Sequence, residues 1–389
     1  MKVLHTSDWH LGRTFHGHGL HADHAAFLSW LLGVAVEHEV DAVLVAGDVY
    51  DRSVPPVDSV RLLDATLEAF AARGIPVVLI SGNHDNPTRL GFGRAFAASA
   101  GIHLFTSVAQ LGEPVLLTDD HGVVGVYGIP YLSPDLVRDQ LEAERSHAAV
   151  LAAAMHRIRV DAQRRGLHRT VVLAHAFVAG GTSCESERSI EVGGVAHAPA
   201  SVFSGVSYVA LGHLHGSQEV RLADSATVLA YAGSPLTFSF SEADHTKSVT
   251  VVELDAEGVA GRKEIPVPVG RRAVVLRGSV EELTGLAAAH PDRYRDVFVK
   301  AVVTDRRWEP GLYDRLRAAW PLLERIELAG EQHRDPDHDL ARLRRALVDP
   351  AQVCAMFVEY VGGVPPVDAE ASVLRRAVER VFAADGGRD

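Results

Sequence analysis

Apolar residues in the first part of the chain fall into short unbroken runs that alternate with stretches of helical period, and this predicts strands interleaved with helices. Val3 to Ser7 reads as a strand. His21 to His38 reads as a helix with Phe27, Leu28, Leu31 and Leu32 on one face. Asp41 to Ala46 (DAVLVA) is the next strand, Val57 to Arg73 a helix, and Pro76 to Ser81 (PVVLIS) another strand. Unbroken Val/Leu/Ile runs of this kind suit strands covered on both faces. A helix is expected over Thr88 to Ala100, then strands near Val115, Val123 to Tyr127, Thr170 to Ala174, Ser207 to Leu211 and Thr227 to Tyr231. A long Ala-rich helix from Pro134 to Arg165 interrupts them, and a strand from Lys247 to Leu254 closes the unit.

Paired prolines in Ile265 to Gly270 (IPVPVG) mark a boundary, and a compact β-α-β-α-β pattern follows it. A polar stretch, EQHRDPDHD, then leads into segments with Val353, Phe357, Tyr360, Val373, Leu374, Val378 and Val381 at helical spacing. The expected domains are 1–268, 269–333 and 334–389. No run approaches the ~20 apolar residues of a membrane-spanning helix. The first residues carry no apolar signal region, and the two cysteines, Cys184 and Cys354, lack CxxC spacing, so a reducing cytoplasm is the expected setting.

Charge complicates any nucleic-acid reading. Lys plus Arg number 38 against 50 Asp plus Glu, a net charge of −12, which opposes phosphate attraction. Bound cations or a basic partner would change the local sign, and Arg271, Arg272, Arg277 and Lys300 offer a local basic surface. No GxxxxGK[ST] loop for ATP is present.

The informative pattern is that separate apolar strands run directly into metal-ligand residue types. VLHTS leads into Asp8 and His10, AVLVAG into Asp48, VVLISG into Asn83 and His84, TVVLA into His175, and YVALG into His213 and His215. Ligands gather at the carboxyl ends of strands in α/β sheets, so these residues should converge on one edge. In Asp8-Trp9-His10 and His213-Leu214-His215 the i, i+2 spacing puts both polar side chains on one side. Such a cluster would be costly to bury without a cation. His16, His18, His21 and His24 are expected to be polar surface, one ordinary role for the 21 histidines.

The motifs DWH, GDVYD, GNHD, AHAF and GHLH, in this order, resemble the calcineurin-like metallophosphoesterase superfamily. HTSDWHLGRTF, AFLSWLL, VDAVLVAGDVYD and YAGSPLTFSFSE are similar to its SbcCD-type branch, with eukaryotic and archaeal double-strand-break-repair counterparts. The resemblance implies an α/β fold: a metallophosphoesterase β-sandwich flanked by helices, with a small α/β capping domain and C-terminal helices. It also implies a DNA exonuclease and endonuclease in repair and recombination. One ion would be held by Asp8, His10, Asp48 and His215, a second by Asp48, Asn83, His175 and His213, with His84 catalytic. Oxygen and imidazole donors without thiolate suit two divalent ions, Mn²⁺ first, with Mg²⁺, Fe or Zn as alternatives. The implied partners are DNA, a second copy through the helices 57–73 and 88–100, and an SbcC-type SMC-like ATPase in a heterotetramer, docked by the C-terminal helices.

Two alternatives stay open. A phosphomonoesterase or cyclic-nucleotide phosphodiesterase shares the metal motifs but does not need the chain beyond Gly270, and a non-catalytic DNA-end tether does not need the full ligand set. Against the protein phosphatases, Ser53 stands where they carry Gly and Asp85 where they carry Glu.

Overall fold

The computed structural model describes residues 1–187, 197–223, 225–305, 311–329, 349–362 and 365–385. These residues divide into two compact units, Met1–Arg272 and Ala273–Asp389. The boundary expected after residue 333 lies outside the described residues.

In the first unit the strands in chain order are β1 (Lys2–Thr6), the short pair β2 (Thr14–Phe15) and β3 (His18–Gly19), β4 (Ala42–Val45), β5 (Val77–Ile80), β6 (Ile102–Phe105), β7 (Val115–Asp119), β8 (Gly122–Ile129), β9 (Arg169–His175), β10 (Tyr208–Gly212), β11 (Gln218–Val220), β12 (Val228–Tyr231), β13 (Ser248–Leu254) and β14 (Val259–Pro266). They form two six-stranded sheets, ordered β14-β13-β1-β4-β5-β6 and β11-β12-β10-β9-β8-β7. The helices are α1 (His21–Glu37), α2 (Val57–Ala71), the short α3 (Pro87–Leu90) and α4 (Arg94–Ala98), α5 (Pro134–Leu141) and α6 (His147–Arg165).

Alternation within fully buried strands explains the layering. Val171 and Leu173 on β9 join Val3, Leu44, Val78, Ile80, Tyr208 and Ala210 in an apolar layer drawn from both sheets. Val172 and Ala174 point the other way, into a second cluster with Leu151, Met155 and Ile158 of α6. Strands buried on both faces must be apolar at every position, which is why their sequences read as runs. One polar exception is His5 on β1, whose Nδ1 lies 2.9 Å from the Tyr208 hydroxyl and whose Nε2 lies 3.1 Å from the Leu211 carbonyl of β10. It fastens one sheet to the other, and burial pulls its pKa down to about 3.

The structure corrects four sequence expectations. The helix expected over Thr88 to Ala100 is broken into α3 and α4 by Gly91-Phe92-Gly93, with Gly93 left-handed at φ 73°. The long helix from Pro134 is split into α5 and α6, because Glu142 turns left-handed at φ 53° and Ser146 caps a new start by accepting from Ala149 N–H. The unit closes with β14, not β13: this strand pairs antiparallel with β13 from Val259 to Pro266. Its largely polar residues hid it, and an edge strand tolerates Pro266. Finally, His24 is buried rather than surface.

In the second unit β15 (Arg272–Gly278), α7 (Val280–Ala289), β16 (Val297–Val303), α8 (Leu312–Ala319) and β17 (Leu323–Leu328) make a three-stranded sheet ordered β15-β16-β17. Val280, Leu283, Leu312, Leu316 and Trp320 pack with Val299, Ala301 and Val303 as its core. A capping box at Ser279 and Glu282 starts α7. Two further helices, Pro350–Gly362 and Asp368–Asp385, contact each other. No helix among the described residues is long and apolar enough to cross a membrane.

Candidate metal centre

Five strands of the two sheets, β1, β4, β5, β9 and β10, end at one place, and their ends and the loops leaving them carry the ligand types. Backbone bonds zip the first two loops together: Asp8 N–H donates to the Gly47 carbonyl at 3.0 Å, and His10 N–H to the Asp48 carbonyl at 2.9 Å. The buried Asp85 carboxylate binds the third loop to the second, accepting from Val49 N–H, Tyr50 N–H and Gly82 N–H at 2.9–3.1 Å. Backbone donors then fix the acidic side chains. His84 N–H donates to Asp48 Oδ1 at 2.8 Å, and His213 N–H lies 3.1 Å from both oxygens of Asp8.

Convergence is close. His10 Nε2 and His215 Nε2 are 3.2 Å apart, and His10 Nε2 is 3.7 Å from Asp48 Oδ2. His175 Nε2 lies 3.4 Å from Asp48 Oδ2 and 2.8 Å from Asn83 Oδ1, while His213 Nδ1 is 3.2 Å from Asn83 Oδ1. Asp8, His10 and His215 form one group of donors within 4.8 Å of one another, and Asp8, Asp48 and His175 form another. All the residues singled out by the strand-end pattern therefore meet, including His84, whose Nε2 is 4.0 Å from Asp48 Oδ2. His24 joins no such group; its ring tilts against Phe238, and burial lowers its pKa to about 4.

The donor chemistry fits cations. His175 Nδ1 donates to the Ala46 carbonyl at 2.9 Å, which turns its Nε2 toward Asn83 Oδ1 and Asp48 Oδ2. Those oxygens draw positive charge to Nε2, as a proton on the ring or as a cation that replaces it. The electrostatics agree. Burial works against ionisation of Asp48, yet His175, His10 and His84 hold its carboxyl well below the usual range. Burial likewise opposes charge on His175, but the Asp48 and Asp8 carboxylates push its pKa up to about 9. Burial raises Asp8 to about 6 and lowers His213 to about 3, leaving the latter a neutral imidazole suited to ligation.

Holding these groups strains the backbone. Asp8, His10, Asp48 and His213 have φ of 53°, 46°, 48° and 106°, in the region that L residues avoid. Close approach demands glycine nearby. A Cβ on Gly82 would lie 2.1 Å from Asp48 Oδ1, and one on Gly212 1.8 Å from the Ala46 carbonyl oxygen.

Sequence reasoning missed the supports. His215 Nδ1 lies 3.2 Å from the fully buried Glu242, which also meets Lys247 Nζ and the Ser186 hydroxyl. Lys247 and His215 hold Glu242 well below its ordinary pKa despite burial. Phe238 packs its ring edgewise against both His10 and His215, with the Arg13 guanidinium 4.8 Å over its face. Only the motif YAGSPLTFSFSE, which contains Phe238 and Glu242, hinted at them.

Comparison with known proteins places this geometry. Residues 1–217 match the family described as calcineurin-like phosphoesterase. The SbcD component of nuclease SbcCD from Bacillus subtilis (strain 168) is 34% identical over 287 residues, 70% of this chain and 71% of that protein. The protein of the same name from Escherichia coli (strain K12) is 32% identical over 309 residues, covering 76% and 75% of the two chains. Its namesake from Rhodobacter capsulatus is 33% identical over 349 residues, covering 83% and 82%. With a dinuclear-type Asp/His cluster at the joined edge of two sheets, this chain belongs to the metal-dependent calcineurin-like phosphoesterases, in the branch that contains the SbcD components of SbcCD nucleases.

Proposed function

We propose that the chain is the nuclease component of an SbcCD-type complex, cutting DNA as an exonuclease at ends and an endonuclease on hairpins or single strands. The observation that carries this reading is the convergence of seven ligand-type side chains and His84, in a chain similar to SbcD proteins over most of its length. Asp8, His10, Asp48 and His215 hold one ion; Asp48, Asn83, His175 and His213 hold the other. Oxygen and imidazole donors favour manganese. Two such ions, when bound by these residues, would supply an activated water and charge stabilisation for the oxygens of a phosphodiester. His84 Nδ1 donates to the Asp51 carbonyl at 2.8 Å. This orients the ring so that Nε2 serves as donor to a phosphoryl oxygen or the departing 3′ oxygen.

Partners follow from what the surface leaves open. Phe92 and Phe96 are 89% and 87% exposed, and Val54, Val57 and Val60 are exposed beside the start of α2. Exposed apolar groups of this size support a homodimer through α2 and the α3–α4 segment. On the C-terminal helices Phe357, Val373 and Val381 are exposed, which supports docking on the coiled-coil base of an SbcC-type ATPase. The β15–β17 unit is the cap that guides DNA. The basic surface expected there is weakened, since Lys300 is held by Glu327 at 2.8 Å, and Arg271, which lies in the first unit, is held by Asp23 at 2.6 Å. With a net charge of −12, duplex cleavage at physiological salt depends on the partner.

The test is cleavage of linear, hairpin and single-stranded DNA in Mn²⁺ or Mg²⁺, with and without the ATPase and ATP, beside a phosphomonoester control. Efficient duplex processing only with partner and ATP is expected. Preference for the phosphomonoester would reassign the chain to the small-molecule phosphoesterases.

A further inference from the structure

Behind His215, on the side away from His10, lies a second group of metal-binding side chains. Cys184 Sγ, a Glu187 carboxylate oxygen and a His215 ring nitrogen lie within 4.8 Å of one another. Cys184 Sγ is 3.3 Å from Glu187 Oε1. Ser186 Oγ touches both Cys184 Sγ at 3.2 Å and His215 Nδ1 at 2.8 Å, so the thiol and Nδ1 share one side of the ring. A tetrahedral zinc shell with bonds of about 2.0–2.3 Å has edges of roughly 3.3–3.8 Å, and the sulfur–carboxylate separation already matches such an edge. Thiolate, carboxylate and imidazole together are a zinc-type set, unlike the oxygen and imidazole donors of the main cluster. Cys184 and Glu187 are half-buried, within reach of solvent ions, whereas His215 is buried.

We propose that Cys184, Glu187 and Nδ1 of His215 form a separate site for a zinc-class divalent cation, and that filling it disables the first ion position of the main cluster. The competition arises in one imidazole. While Nδ1–H donates to Glu242, Nε2 is a lone pair available to the main cluster. A cation on Nδ1 shifts that proton to Nε2 and releases the thiol proton to solvent. The neutral ring then carries its hydrogen on Nε2, which faces His10 Nε2 at 3.2 Å. Donation across that gap occupies both nitrogens and removes two donors from the first ion. The exclusion rests on the assignment of His215 to the main cluster; the existence of the outer site does not.

The probe is cobalt, which occupies zinc sites and absorbs in the near ultraviolet when bound by thiolate. Chelator-treated full-length protein, Cys184→Ser and Cys354→Ser are titrated with Co²⁺. A thiolate-to-cobalt band is expected in the parent and in Cys354→Ser and lost in Cys184→Ser. No band in the parent, or one that survives Cys184→Ser, overturns the site. In parallel, Zn²⁺ is added to manganese-supported hydrolysis of bis(p-nitrophenyl) phosphate. Cys184→Ser should keep parental activity and need about tenfold more Zn²⁺ for half inhibition. A Cys184-dependent band with equal inhibition in both proteins overturns the competition. If neither protein hydrolyses a phosphodiester, the functional reading fails while the cobalt band still decides the site.

Discussion

His10 and His215 are backed by other side chains, whereas His175 is backed by main chain and glycine. On the first side, Glu242, Lys247, Ser186 and Phe238 surround the imidazoles. On the second, His175 rests on the Ala46 carbonyl, and Gly212 lets its strand approach to a distance no side chain allows. Side-chain support can be tuned by substitution, because a ring or carboxylate can be exchanged for a near neighbour. Main-chain support cannot, because its geometry is that of the sheets. In the proposed assignment the first ion position is therefore adjustable and the second is fixed by the fold.

Asp48 belongs to both sides, so Asp48→Asn should erase the difference between them: both ions are lost, and cleavage falls to background in a folded chain. Elemental analysis of the purified variant decides this, and two retained ions would refute the bridge. His84 belongs to neither support. His84→Gln should keep both ions and DNA binding yet lose about 10²–10³ in turnover; near-normal turnover with both ions bound would remove it from the mechanism.

A pair of substitutions separates the sides directly. Gly212→Ala should cost about 2–3 kcal/mol through overpacking against Ala46 and strip the second position first. Glu242→Gln should weaken the first ion by about 10–100-fold, the usual effect of losing a carboxylate behind a ligating histidine, with the second retained. Thermal melts beside metal titrations of both proteins read this out. Loss of the same ion in both would erase the distinction drawn above.

A last effect is expected behind the ligands, in the pH dependence of stability. The folded pKa of His5 is about 3 against an ordinary value of 6.5, so between those values the unfolded chain binds a proton that the folded chain refuses. Its contribution to stability is complete above about pH 6.5 and is lost as pH falls, by up to about 1.4 kcal/mol per pH unit. Replacing His5 by Leu and Tyr208 by Phe together removes the titrating group without orphaning the phenol. The unfolding free energy of that variant should fall less steeply with acid than the parent's; parallel curves would show that His5 does not titrate as described.

Legibility followed locality. Runs such as DAVLVA and PVVLIS could be read because a strand buried on both faces is apolar at every position, and their ends carried the ligand types themselves. The breaks at Gly91-Phe92-Gly93 and Glu142 were hidden, since residues of good helix propensity flank both on either side. β14 was hidden by its polar edge, and His24 by looking like any exposed helix residue. The supports escaped for another reason: Glu242 acts on His215 and Asp85 on Val49 and Tyr50, partners distant in sequence that strand pairing, not local spacing, brings near.

The left-handed backbone at Asp8, His10, Asp48 and His213 implies a trade-off in the design of this chain. Each such conformation costs on the order of 1–3 kcal/mol, which the rest of the first unit must offset. Glycine at those positions would relieve the strain and discard the ligands, so selection for thermal robustness alone would drift toward inert proteins. A search for hardier variants of this enzyme would do better to leave these four residues alone and work on the broken helices and the polar edge strand, where rigidity and activity do not compete.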